Sequence, residues 1–98
     1  MQSARPIEFD GTKDATNVAK HGISLARAAD LQMLEVRRDN RFDYGEERFR
    51  AWGLIDGEAY CLAFTTRNGV VRPISLRRAH IKEMKRNVTQ GYIRRGQS

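Results

Sequence analysis

The chain has 98 residues, enough for one domain with a modest core and too few for two. A hydrophobic share of 40% and a charged share of 31% describe a folding chain rather than a disordered one. The net charge is +6 and fourteen of the eighteen basic residues are arginine, which points to a polyanionic partner: RNA, DNA or an acidic protein. Charge alone serves solubility equally well, so it names no site.

Cys61 is the only cysteine, which excludes an internal disulfide; its apolar surroundings make it a core residue rather than a nucleophile. No apolar run approaches the length of a membrane span, and the N-terminus has no signal-peptide core, so the expected location is the cytoplasm.

In chain order, Pro6 to Asp10 reads as a short strand with Ile7 and Phe9 on one face. Asp10 or Thr12 caps a helix over roughly Lys13 to His21, stopped by Gly22. Ser24 caps a second helix, about Leu25 to Leu34, with Leu25, Ala28, Ala29 and Leu31 as an incomplete apolar face. Asp39 to Glu47 is polar and reads as a loop, with room for a short strand edge before it. Arg48–Ile55, Ala59–Thr66 and Val70–Leu76 are strand-like runs. Between them stand Asp56-Gly57 and Asn68-Gly69, pairs suited to type I′ hairpin turns. Pro73 interrupts the last run and predicts an edge strand or a bulge. Ile81, Met84 and Val88 form an apolar stripe at helical spacing, so a final helix packs on the sheet. The expected fold class is α+β, an antiparallel β-sheet flanked by helices in the order β-α-α-β-β-β-α. The domain spans 1–98, with a core of about 7–88 and loose ends at 1–5 and 89–98.

Three clusters carry candidate chemistry. In the first helix Lys13, Asn17, Lys20 and His21 fall within one stripe, with Ala15, Val18 and Ala19 opposite and free to bury. Two ammonium groups, an amide and an imidazole suit phosphate oxygens and a proton transfer; a solvated basic face is the plainer reading. Arg72, Ser75, Arg77 and Arg78 close the last strand. Simple alternation sets Arg72 on the side of Leu76 and opposite Ser75. Guanidinium groups here would stabilise charge building on a phosphate, or else pair with Glu46, Glu47 or Glu83 to hold the last helix. Glu46-Glu47-Arg48 enters the meander, where a carboxylate serves either as a base or as half of an ion pair.

Other chemistries fit poorly. His21, His80 and Cys61 do not form a spaced metal-ligand set, and no Gly-x-Ser-x-Gly turn, Walker loop or dinucleotide fingerprint is present.

The run from Ile7-Glu8-Phe9-Asp10 through Lys13, Asn17 and Lys20-His21-Gly22 to Leu25 resembles the opening signature of the BrnT toxins. The resemblance continues through Gly45-Glu46-Glu47-Arg48-Phe49, Phe64-Thr65 and Arg72-Pro73-Ile74-Ser75-Leu76-Arg77-Arg78-Ala79. It ends at Glu83 in the last helix. Phe9 stands where that family often has Trp, and Asn87 near a common Tyr.

The resemblance implies a RelE-like fold and a ribonuclease that arrests translation. It also implies neutralisation by a BrnA-like ribbon-helix-helix antitoxin, through which alone the complex meets operator DNA. On that reading Lys20, His21, Arg77, Arg78 and Glu47 are the candidate catalytic residues. Lys13, Asn17, Arg48, Arg72 and Ser75 are the candidate RNA contacts. No metal or cofactor is expected, since His21, His80 and Cys61 form no spaced ligand set. The alternative is a non-catalytic module, a degenerate toxin or co-repressor that docks an antitoxin or binds RNA.

Overall fold

The computed structural model describes residues 4–88. Helix α1 (Gly11–His21) is followed by a 3₁₀ helix (Leu25–Asp30). Strands β1 (Gln32–Arg38), β2 (Phe49–Ile55), β3 (Glu58–Arg67) and β4 (Val70–Arg78) come next, then helix α2 (Ile81–Asn87). The strands form one antiparallel sheet in the order β1-β2-β3-β4.

Two tight turns set the frame. Asp56 and Gly57 have φ of 50° and 79°, and Asn68 and Gly69 have 53° and 76°. These positive angles are what a two-residue hairpin of type I′ requires, and they fix the β2–β3–β4 register. Trp52 therefore faces Cys61, which faces Arg77, while Ala51, Leu62 and Leu76 form the neighbouring row on the other face.

The expected element order is corrected in two places. The first strand, Pro6–Asp10, is reduced to a single parallel bridge, Ile7 to Val71, with the Glu8 N–H donating to the Val71 carbonyl at 3.0 Å. The second helix ends at Asp30 and is 3₁₀ rather than α; the chain from Gln32 onward becomes β1. Leu25, Ala28 and Leu31 are all buried, and their spacing of three is the 3₁₀ period. The N-terminal end is also less loose than expected at Arg5, whose Nη1 donates to the Ala28 carbonyl at 2.8 Å. The expected C-terminal tail, 89–98, lies outside the described residues.

Pro73 acts as expected, on an edge and beside a bulge. β4 closes the sheet, and the register slips between the Ser75–Ala63 and Pro73–Phe64 pairs, leaving Ile74 as the extra residue. The slip has a consequence that simple alternation missed. Ser75 pairs with Ala63 and Arg72 with Thr65, so both lie by register on one face, away from Leu76.

Each face of the sheet has its own core. On one, the 3₁₀ helix sets Leu25, Ala28 and Leu31 against Ala51, Ile55, Leu62, Phe64 and Leu76. On the other, α2 covers Trp52 and Cys61 with Met84 and Val88. β1 and β2 approach closely at Gly53: a Cβ there would sit 2.1 Å from the Gln32 carbonyl oxygen. No helix among the described residues is long and apolar enough to cross a membrane.

Candidate active site

α1 starts where Asp10 accepts the Lys13 N–H at 2.8 Å and stops at Gly22, in the left-handed conformation. It is tethered to the 3₁₀ helix by Asp14, whose Oδ1 accepts from Ser24 Oγ (2.8 Å) and the Leu25 N–H (2.7 Å). It is tethered to β4 by Asn17. The Asn17 Nδ2 donates to the Ile23 carbonyl (2.9 Å) and the Leu76 carbonyl (2.8 Å), and its Oδ1 accepts the Leu76 N–H (3.0 Å). Asn17 is buried, whereas Ala15, Val18 and Ala19 are exposed. The expected helix orientation is therefore corrected: α1 docks through polar side chains and leaves its small apolar face in solvent.

This docking opens a cleft of about 210 Å³ between α1 and β4, lined by Lys13, Asn17, Lys20, His21, Ile74 and Ser75, with Thr12 and Thr16. Five of the ten sequence-predicted residues thus meet at one place. Lys13, Lys20 and His21 are exposed, and among the described residues none of them is in an ion pair. Asn17 contributes from the wall, its amide bonded to the backbone of Ile23 and Leu76.

Arg77 and Arg78 do not join this cleft. Arg77 makes a two-pronged contact with Glu83, Nη1 to Oε1 at 2.9 Å and Nη2 to Oε2 at 2.8 Å, on the α2 side of the sheet. The Trp52 indole N–H donates to the same carboxylate at 3.0 Å. The Arg77 guanidinium, aided by that indole, holds the Glu83 carboxyl down to about 2 against the burial that raises it. Glu83 in turn raises Arg77. Arg78 pairs with Glu58 at 2.5 Å and lies over the Tyr60 ring. For Arg77 the structural reading foreseen for this cluster, an anchor for the last helix through Glu83, describes the arrangement.

The remaining candidates lie outside the cleft, Arg72 at the depression beside it and Glu47 and Arg48 at a hollow in the 39–48 loop, and all three are paired. Arg72 meets Glu8 at 2.6 Å beside a smaller depression that also holds Lys13, Glu46 and Arg67. Glu47 pairs with Arg38, and its carbonyl accepts from Thr65 Oγ1 at 2.6 Å. Arg48 lies over the Tyr44 ring at 4.1 Å with its Nε buried, 3.5 Å from Glu46 and without a hydrogen bond. Cys61 is buried as expected, and burial pushes its thiol up to about 11. Arg67 escaped the sequence reading: a lone arginine before a turn carries no signal until β4 folds back beside α1. Among the described residues no three His, Cys, Asp or Glu gather as a metal-ligand set.

Comparison with known proteins bears directly on this arrangement. Residues 9–83 match the family model described as the ribonuclease toxin BrnT of a type II toxin–antitoxin system. Comparison with curated proteins gave no match. Among solved structures, the 1.1 Å crystal structure of the Brucella abortus ribonuclease toxin BrnT is similar, with 27% identity and a TM-score of 0.57. The match covers 78% of this chain and 97% of that one. The matched segment contains α1, the whole sheet and the Arg77–Glu83 pair, so the chain belongs to the BrnT family of ribonuclease toxins of type II toxin–antitoxin systems.

Proposed function

We propose that this chain is an endoribonuclease that holds RNA in the cleft between α1 and β4 and cuts it without a metal ion. The observation that carries the reading is the convergence of Lys13, Lys20 and His21, free of ion pairs among the described residues, on one cleft with Ser75. Lys20 or His21 takes the proton from a ribose 2′-hydroxyl, whose oxygen then bonds to the adjacent phosphorus. The bond from phosphorus to the 5′-oxygen breaks, and that oxygen takes a proton from the other residue of the pair. The products are a cyclic 2′,3′-phosphate and a 5′-hydroxyl. Lys13 and Ser75 hold the phosphate, and the ammonium groups offset the charge that grows on it.

Arg77 and Arg78 have a supporting part in this scheme, because using them on phosphate would first break their pairs with Glu83 and Glu58. Glu47 and Arg48, paired with Arg38 and Glu46 at the hollow of the 39–48 loop, likewise have supporting parts. We read the sheet and helices as RelE-like, and the biological outcome as arrest of translation in the cytoplasm. A BrnA-like ribbon-helix-helix antitoxin restrains the toxin and carries the complex to operator DNA.

The test is cleavage of a short RNA in EDTA by wild type, Lys20→Ala and His21→Ala. Cyclic phosphate ends with wild type, and a loss of at least a hundredfold in one variant, support the scheme. Cutting of an all-DNA strand, or equal rates in all three proteins, overturns it.

A further inference from the structure

We propose that the cleft at α1 is one end of a track for single-stranded RNA, which runs past Arg67 to an aromatic platform, Phe42 with Tyr44, in the loop between β1 and β2. This extends the ribonuclease reading and rests on it. The first support is continuity. The cleft and the depression next to it share Lys13 and Ile74 as lining residues. That depression shares Glu46 with a third, larger one of about 370 Å³ in the 39–48 loop, which holds Phe42, Tyr44 and Arg48. The three hollows form a chain along the molecule rather than separate dents.

Charge along this chain is uneven. Arg38, Arg48 and Arg72 each have a carboxylate partner. Lys20, Lys13 and Arg67 have none among the described residues. The unpaired cations therefore run from the cleft to the middle hollow, whereas the far end is aromatic and carries Asp39, Asp43, Glu46 and Glu47 against Arg38, Arg41 and Arg48, a net acidic lining that disfavours a phosphate there. Phosphates are favoured along the first part and a base at the second.

The construction of the loop supplies the third argument. Asp39 is buried, and its carboxylate accepts from the Arg41 backbone N–H (3.2 Å), Arg41 Nε and Nη2 (2.8 Å each) and Tyr44 Oη (3.1 Å). Its own N–H donates to the Arg48 carbonyl at 2.7 Å and closes the loop base. These contacts hold the Asp39 carboxyl below the usual carboxylate range, with Arg41 the main cause. A loop so firmly braced nevertheless leaves its largest apolar ring outside: Phe42 is 68% exposed. It meets Tyr44 edge-on at 5.8 Å, and Tyr44 is backed by Arg48. An outward ring on a rigid, cation-backed base suits stacking by an unpaired nucleobase, which any of the four bases can provide.

The experiment is fluorescence anisotropy with a mixed-sequence 2′-O-methyl RNA, which cannot be cut by 2′-hydroxyl attack, alone and annealed to its complement. Phe42→Ala weakens binding of the single strand about tenfold, Phe42→Trp retains it, and duplex binding is unchanged. Arg67→Ala weakens both forms and flattens the salt dependence. Wild-type affinity in Phe42→Ala, or equal loss on the duplex, overturns the platform. Wild-type affinity in Arg67→Ala overturns the track. Parallel cleavage of unmodified RNA separates the two readings. Cutting with no dependence of binding on Phe42 leaves the nuclease standing without the platform. Phe42-dependent binding without cutting supports the platform and removes the nuclease.

Discussion

The side chain of Asn17 meets both backbone polar groups of Leu76, accepting its N–H at 3.0 Å and donating to its carbonyl at 2.8 Å. A helix residue thus stands in for a neighbouring strand at the outer edge of β4. Replacing it with alanine leaves a buried N–H and carbonyl unpaired, each costing about 1–3 kcal/mol. Asn17→Ala is expected to lower stability by about 2–4 kcal/mol, read from the urea midpoint at constant slope. A shift below about 0.5 kcal/mol would show that water replaces the amide freely.

Glu83 gives the fold a dependence on acid. Its carboxyl titrates near 4.5 in the unfolded chain and is held down to about 2 in the folded one. The contribution, on the order of 2–3 kcal/mol, is present in full above the unfolded value and is lost as pH falls towards 2. Asp39 behaves in the same sense, so wild-type stability declines for two reasons. Thermal melts at intervals between pH 7 and pH 2.5 should therefore fall less steeply for Glu83→Gln than for wild type. Parallel curves would remove Glu83 from the account.

Arg77→Ala tests the same pair from the other side. The Arg77 side chain is 38% exposed, so solvent softens the loss to about 1–3 kcal/mol, less than a fully buried pair would show. If activity falls only in step with the folded fraction, Arg77 is an anchor. Lost cleavage at full stability would instead put it in the chemistry.

Gly53 has no room for a side chain, because the Gln32 carbonyl lies 2.1 Å from where its Cβ would stand and both are backbone. Gly53→Ala must push β1 away from β2 and is expected to cost about 2 kcal/mol or more, as overpacking does. Gly45→Ala serves as a comparison, since open space surrounds that position and its strain is purely conformational, about 1 kcal/mol. Equal effects would argue against the close approach.

The buried Cys61 thiol, raised to about 11, should be inert to a thiol-reactive dye at neutral pH. Labelling is expected to follow global unfolding as urea rises. Rapid labelling of native protein would place the sulfur nearer the surface than the α2 packing allows.

How much of this was readable from the residues alone varied by mechanism. The three-strand meander was legible because Asp56-Gly57 and Asn68-Gly69 encode their turn angles locally, and Pro73 announced an edge or a bulge, of which the structure has both. β1 was legible only as room for a short strand edge before Asp39, since Gln, Met, Leu, Glu and Arg favour a helix and pairing with β2 is what extends them. Leu25, Ala28 and Leu31 carried the 3₁₀ period, but a spacing of three also belongs to an α-helical face. Lys13, Lys20 and His21 were grouped by helix periodicity, whereas Ser75 came from a separate strand cluster and meets them only because α1 docks beside β4. Asn17 obeyed that periodicity and yet turned inward, because its partner is a backbone group fifty-nine residues away, which no local pattern encodes. The Arg77–Glu83 pair, by contrast, was legible as one of the alternatives, because the two residues bracket the short strand-to-helix junction.

The two borders of the sheet are treated differently. Along β4 the Ile7 bridge and the Asn17 amide occupy outward-facing polar groups, while β1, bearing exposed Arg37 and Arg38, has no second strand among the described residues. In the language of polymer chemistry such a molecule has a valence of one. A strand added at β1 meets a sheet already terminated at its far side, so growth stops at a pair and cannot propagate into a fibre.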